Sequence, residues 1–314
     1  MIPFEYRTPK SLKEVHATLK EFGSDAKLIA GGTSLVIMMR QRLVRPNCLV
    51  SLRSVRGLNS IEIHDGGTRI GGLATHREVE SCSLVRRCLP ILPETYHHVA
   101  TIRVRNMATV GGGLAHADPN QDPPPTLIAL GATVKATSAD GSRVIPLDEF
   151  FTDYYETVLK PDEIVTEVFV PKMAANSAGA YLKFLPRTAD DYATVSAAAV
   201  LTLDKTGKTI NDVRIALGSV GVTPIRATAA EAVLRGQPLK AEAFAEAGEK
   251  AKEAVDPVSD FRGSAAYKKE MAGVFVRRAL EKALATLRQQ AKQRPGLKAI
   301  KKAIKKAVKK GKKR

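Results

Sequence analysis

Apolar positions along the first third of the chain switch repeatedly between helical and strand spacing. Ser11-Leu12-Lys13-Glu14 is a capping box, with Ser11 as N-cap and Glu14 at N3. Leu12, Val15, Leu19 and Phe22 then recur at helical spacing until Gly23 stops them. Short apolar runs at 27–30 and 48–52 read as strands with a helix over 35–42 between them, so residues 1–55 form a small α/β unit. Two short strands flank the turn Asp65-Gly66-Gly67 within 58–72, Thr75-His76-Arg77-Glu78 opens a further helix, and another covers 90–99. A hairpin over 132–137 and 143–145 and a strand over 163–170, ended by Pro171, complete a larger α+β unit at 56–173. Residues 174–179 have linker composition. Three segments of β character follow at 180–187, 194–204 and 210–219, then helical patterns at 226–235, 240–254 and 264–290. The pattern predicts a third unit over 178–290, a three-stranded antiparallel sheet with helices, and a basic tail at 291–314; no internal repeat is present.

Two glycine-rich turns interrupt this pattern. Ala30-Gly31-Gly32-Thr33-Ser34 follows the apolar run Lys27-Leu28-Ile29, and Thr109-Val110-Gly111-Gly112-Gly113 precedes Leu114-Ala115-His116-Ala117-Asp118. Neither has the spacing of a dinucleotide-binding Rossmann turn or a P-loop. Glycine lets the backbone approach a ligand closely and aim N–H groups at oxygen atoms. Two such turns with hydroxyl residues suit the two phosphates of one pyrophosphate, gripped between two units.

Leu28 to Leu35, with Pro46 and Leu49-Val50-Ser51-Leu52 after it, resembles the first FAD signature of the molybdenum hydroxylase flavoproteins. Ile102-Arg103 and the run from Asn106 to Pro119, ending at Asp122, resemble the second. The likeness covers roughly residues 1–287 and is to the medium subunit of enzymes such as carbon monoxide dehydrogenase and to the central region of xanthine dehydrogenase. It implies a two-subdomain FAD-binding fold of the vanillyl-alcohol-oxidase/PCMH type, followed by an α+β domain. It also implies that Lys27, Leu28, Ile29, Ala30, Gly31, Gly32, Thr33, Ser34 and Leu35 line FAD from one side, and Ala100, Ala108, Thr109, Gly111, Gly112 and Gly113 from the other. Backbone N–H groups of Gly31 to Ser34 would meet one phosphate and those of Gly111 to Gly113 the other.

Further residues carry two readings each. Asp122 stands where the family places an acid on the ribose hydroxyls; it also suits the N-cap of a helix near 124–130, and the two roles can coexist. Ile164 and Val165 match a strand laid against the flavin or adenine, or are core residues. Lys183 matches a lysine close to the isoalloxazine, where a cation stabilises the anionic reduced ring, or is an exposed strand lysine. Tyr192, in Asp190-Asp191-Tyr192-Ala193, matches a segment over the flavin and stacks there, gating oxidants, or anchors a domain interface. His97, His98 and His116 read as structural. Two departures from the family stand out. Gly113 often carries Asn or Asp there, and no cysteine-bearing insertion lies between the second motif and residue 160, so the extra four-iron cluster of some aryl-CoA reductases has no ligands here.

Composition narrows the setting. The 314 residues carry a net charge of +17, but residues 288–314 hold thirteen Lys or Arg and no acid, which leaves +4 for the rest. Cys48, Cys82 and Cys88 lack C-x-x-C spacing, and no apolar run approaches a membrane span. The N-terminus reads as neither signal nor transit peptide, which points to a cytoplasmic protein. With no ligand set for molybdenum pterin or two-iron clusters, the resemblance implies a large molybdopterin-binding subunit and a small two-iron subunit as partners, in a heterotrimer or its dimer. The substrate is hydroxylated on the large subunit, and electrons cross the clusters one at a time to this FAD and on to an external acceptor. A self-contained FAD oxidoreductase is the alternative, and a tail-driven polyanion binder a further one; no side chain suggests a specific nucleic-acid reader. In the tail, Ala299/Ile300, Ala303/Ile304 and Ala307/Val308 form a narrow apolar stripe among lysines: a solvated segment, or a weak anionic-membrane contact on the inner face.

Overall fold

Three short parallel strands organise the N-terminal unit. In the computed structural model, which describes residues 2–64, 66–185, 188 and 191–293, strands β1 (Glu5–Arg7), β2 (Ala26–Ile29) and β3 (Cys48–Ser51) lie in the order β1-β3-β2. Helices α1 (Leu12–Phe22) and α2 (Leu35–Arg40) make the two crossovers. The α1 cap forms as expected, with the Glu14 N–H donating to Ser11 Oγ. The return bond goes one residue further back, from the Lys10 N–H to Glu14 Oε2 at 2.9 Å. Val15 and Leu19 pack on Cys48, Val50 and Leu52, and Ile164 of the next unit joins this small core. Strand β1 gave no sequence signal because all three of its residues are exposed.

The second unit rests on a five-stranded antiparallel sheet. Its strands are β4 (Ile61–His64), β5 (Gly67–Gly71), β6 (Thr133–Thr137), β7 (Ser142–Pro146) and, after the small pair β8 (Phe151–Asp153) and β9 (Glu156–Thr157), β10 (Ile164–Pro171). They run in the order β4-β5-β10-β6-β7, with a register shift in β10 between Val165 and Glu167 where it pairs with β6. Between β5 and β6 come six short helices: α3 (His76–Ser81), α4 (Ser83–Cys88), α5 (Ile91–His97), α6 (Ile102–Arg105), α7 (Val110–His116) and α8 (Pro123–Ala129). The Thr75–Glu78 capping box forms in both directions. Helix α7 departs from the sequence reading: the second glycine run is not a loop but its first turns. Glycine costs about 1 kcal/mol per residue in a helix interior. Tertiary bonds hold this one, from the Val110 N–H to the Ala74 carbonyl (2.9 Å) and from the Gly111 N–H to the Gly72 carbonyl (2.8 Å).

The third unit has four antiparallel strands, not three: β11 (Ser177–Phe184), β12 (Val195–Leu203), β13 (Ile210–Gly218) and β14 (Ile225–Arg226). Two residues are too few for β14 to register as a period. Strand β11 also starts inside the expected linker. Helices α9 (Thr228–Ala232), α10 (Ala241–Lys252) and α11 (Ala265–Gln293) follow. Both faces of this sheet are covered. Ala178, Ala180, Leu201 and Ile215 pack with Phe244, Val276 and Leu280 of α10 and α11. Tyr181, Ala198 and Ala216 instead join the core of the second unit, with Leu92, Leu127 and Ile128. The alternation along β11 therefore sends its odd positions, Lys183 among them, toward the second unit.

Candidate functional site

The two glycine turns, about eighty residues apart in sequence, touch in space. A Cβ on Gly31 would lie 2.0 Å from the Met107 carbonyl oxygen, so only glycine fits there. A Cβ on Gly112 would meet Ala30 Cβ at 3.5 Å. Gly32 turns the chain with φ +70°, and the turn leads directly into α2. Among the described residues, no acceptor is found for the N–H groups of Gly31, Gly32, Thr33, Ser34 or Leu35. The turn is a row of unspent backbone donors, the concavity that binds anions.

The second turn is the opposite case. The Gly111 N–H donates to the Gly72 carbonyl, that of Gly112 to Thr109 Oγ1 at 3.1 Å, and that of Gly113 to the Thr109 carbonyl at 2.9 Å. The expectation that these three N–H groups serve a phosphate is corrected: the Gly72 carbonyl takes one, and the N-cap Thr109 takes the other two. What the second motif supplies is a wall of three glycines, with Gly112 facing Ala30.

Behind that wall, two buried groups fix the neighbouring loops. His76 lies against Gly113, its ring edge-on to Tyr96 at 5.0 Å, and its main-chain N–H donates to the Ala108 carbonyl at 2.9 Å. Burial pushes the imidazole down to about 4, and Nδ1 has no partner. Arg105 pairs with Glu80 at 3.0 Å and donates from Nη1 to the carbonyls of Val99 (2.8 Å) and Ala100 (2.9 Å). Ala100 holds φ 37°, a left-handed conformation rare for alanine. His97, which shows no metal-site spacing in the sequence, donates from Nδ1 to Glu80 Oε1 at 2.8 Å.

Asp122 and Lys183 pair with each other. Asp122 occupies the N-cap position of α8 but makes no capping bond. Its Oδ1 accepts from the Tyr181 hydroxyl, and its Oδ2 from Lys183 Nζ at 2.9 Å. Lys183 is not an exposed lysine: its side chain is buried, and Nζ also donates to the His98 carbonyl at 3.0 Å. Burial raises the Asp122 carboxyl, with Lys183 and Tyr181 acting against it. Ile164 and Val165 are buried core residues, and the Val165 carbonyl packs on Gly72 and Gly111. Lys27 is exposed on β2, close enough to His116 to help burial lower that imidazole.

Tyr192 stands 42% exposed, and its hydroxyl donates to Asp118 Oδ2 at 2.8 Å. Asp118, at the end of the second motif, is buried and also accepts from the Asn120 N–H and the Tyr155 hydroxyl. Burial first, then this carboxylate, raise the Tyr192 phenol.

Residues 2–173 match the FAD binding domain in molybdopterin dehydrogenase, and residues 180–283 the CO dehydrogenase flavoprotein C-terminal domain. The chain belongs to the FAD-binding medium-subunit family of the molybdopterin dehydrogenases. The carbon monoxide dehydrogenase medium chain of Hydrogenophaga pseudoflava is 38% identical over 287 residues, spanning 91% of this chain and 99% of that one. The xanthine dehydrogenase FAD-binding subunit of Escherichia coli O157:H7 is 28% identical over 262 residues, 83% of this chain and 89% of that one. Among solved structures, carbon monoxide dehydrogenase from Hydrogenophaga pseudoflava superposes with a TM-score of 0.87 at 40% identity, covering 91% of this chain and 99% of that one. Quinoline 2-oxidoreductase from Pseudomonas putida 86 gives 0.85 at 36% identity, covering 91% and 98%.

The open first turn has what an anionic ligand needs, backbone donors that the protein has left uncommitted. Sequence reasoning missed Glu80, Arg105, Tyr155 and Tyr181. Only Asp118 carried a signal, as an acid inside the second motif. No group of three His, Cys, Asp or Glu able to hold a metal occurs among the described residues.

Proposed function

We propose that the N–H groups of Gly31 to Leu35 hold the FAD pyrophosphate, that Ala100, Ala108, Thr109 and the α7 glycines wall the cofactor from the second unit, and that Tyr192 covers its ring. The uncommitted row of donors in the first turn, packed on the second motif, is the observation that supports this most directly. Asp122 and Lys183 contribute by bolting the third unit to the second, and we read the strand of Ile164 and Val165, whose Val165 carbonyl packs on Gly72 and Gly111, as lying against the flavin or adenine. The two N-terminal units are read as the vanillyl-alcohol-oxidase/PCMH type of FAD fold.

The chain is the FAD subunit of a multi-subunit molybdenum hydroxylase such as carbon monoxide dehydrogenase. Bound FAD supplies a store for two electrons, which joins single-electron donors to a two-electron acceptor. We read the donors as two-iron clusters on a small partner subunit, fed from molybdenum on a large one, and the acceptor as an outside molecule. The chain's own work is to bind and orient. Acid treatment of the complex should release a single FAD per medium subunit. A colourless chain that takes up no FAD on reconstitution overturns the site.

Among the described residues no helix is long and apolar enough to cross a membrane, and we read the location as cytoplasmic. The weak anionic-membrane or polyanion contact expected of the basic tail falls on residues 294–314, which lie outside the described residues.

A further inference from the structure

Tyr192 is held by groups from three separate parts of the chain. Its hydroxyl is bonded to Asp118, 74 residues earlier. Its own N–H donates to Asp191 Oδ1 at 2.7 Å, and the same oxygen accepts from Arg262 Nη2 at 3.0 Å. The Arg262 guanidinium lies over the Tyr192 ring at 5.6 Å and over the Phe261 ring at 4.2 Å.

The loop that carries Arg262 is unusually well braced. Buried Lys268 donates to the Val258 carbonyl (2.9 Å) and pairs with Asp260 (2.8 Å), Asp260 and Gly263 exchange backbone bonds, and the Arg262 N–H donates to Asp260 Oδ1 at 2.8 Å. The Arg262 carbonyl accepts from Thr194 Oγ1, two residues past Tyr192. An ammonium buried to fix a connecting loop makes that loop a firm mount, and what it mounts is the guanidinium over the Tyr192 ring.

We propose that Arg262 is a positioning residue: it holds Tyr192 in place across the flavin site and so limits how readily outside oxidants reach the reduced cofactor. This rests on the reading of Tyr192 as the cover of the flavin ring. An arginine stacked on a partly desolvated ring and bonded to the neighbouring carboxylate favours one pose of the tyrosine over the open ones. Lysine keeps the charge but loses the planar stack and the fork.

The test uses the medium subunit assembled with its partner subunits and loaded with FAD. The enzyme is reduced anaerobically with dithionite and mixed with dioxygen, which takes two electrons and two protons and leaves as hydrogen peroxide. Flavin absorbance reports the rate. Arg262→Gln should reoxidise about tenfold faster at unchanged FAD content, the factor expected when a stacked, ion-paired pose loses its bias. Arg262→Lys should fall between Arg262→Gln and the native enzyme. In a Tyr192→Ala background, Arg262→Gln should add nothing, because the arginine then has no ring to hold. An unchanged rate in Arg262→Gln at full FAD content overturns the inference, as does an equal acceleration in the Tyr192→Ala background. If Tyr192→Ala itself leaves the rate unchanged, the placement of Tyr192 fails and the inference with it. Absence of FAD from the native complex is a separate result, which overturns the site as a whole.

Discussion

Lys183 Nζ lies 2.9 Å from Asp122 Oδ2, with both side chains more than nine-tenths buried, and the pair joins strand β11 of the third unit to the end of the second glycine motif. Tyr181, two residues earlier on the same strand face, donates to the other carboxylate oxygen. Removing one member of such a pair leaves an uncompensated buried charge, at about 3–5 kcal/mol. Asp122→Ala should lose that much in urea unfolding. The double variant Asp122→Leu with Lys183→Met should recover most of it, since it leaves no charge behind. Additive losses in the double variant would show that the two groups are not coupled.

Two glycines of the site should respond differently to a single methyl. At Gly31 the new Cβ meets the Met107 carbonyl oxygen at 2.0 Å, a backbone atom that no rotamer change can move. At Gly113 it meets Gln121 Oε1 at 3.0 Å, the end of a flexible side chain. Gly31→Ala should part the two turns and purify with little FAD, whereas Gly113→Ala should retain it. Equal FAD contents by absorbance would show that the contact between the turns does not shape the site.

Legibility in the sequence followed how local each feature is. The α1 cap, the Thr75–Glu78 box, the β6–β7 hairpin and the long α11 announce themselves because their signals lie within a few residues. Helix α7 did not, since three glycines argue against a helix and its support comes from Gly72 and Ala74 across space. Lys183 misleads for a different reason. A sheet covered on both faces reads as a nearly continuous apolar run, so a lysine within it gives no hint of which side it faces. The first glycine turn was readable as a candidate anion site because its uncommitted donors sit in one contiguous run. The Asp118–Tyr192–Arg262 arrangement was not, being assembled from segments at least 70 residues apart.

His76 makes stability depend on pH in a defined window. Its imidazole falls from an ordinary 6.5 to about 4 because burial resists the charged form. A base held below its unfolded value takes up its proton first in the unfolded chain. Its contribution is therefore complete above pH 6.5 and is lost as the pH falls toward 4. The whole loss is about 3 kcal/mol. Urea midpoints at pH 7 and pH 4.5 should separate more for the native chain than for His76→Phe, which keeps the ring against Tyr96 but cannot titrate. Identical separations would remove His76 from the acid response.

Arg105 ties an ion pair to a strained backbone, and this should be felt at the cofactor. Its guanidinium meets Glu80 through Nε and the carbonyls of Val99 and Ala100 through Nη1, while Glu80 also takes Arg77 at 3.1 Å and His97 at 2.8 Å. Ala100, at φ 37°, keeps its left-handed turn only while something fixes its carbonyl. A lysine has one point of charge where the arginine has a fork, so it cannot serve the carboxylate and both carbonyls together. Arg105→Lys should fold but release the Ala100 turn, weakening FAD binding about tenfold, equivalent to about 1.4 kcal/mol. Glu80→Gln keeps an oxygen for Arg105 and should weaken it less. FAD titration of the stripped complex, followed by flavin fluorescence, gives both affinities. If Arg105→Lys binds FAD as the native complex does, the loop at Ala100 is not part of the site, and the network serves only to pack α3 against α6.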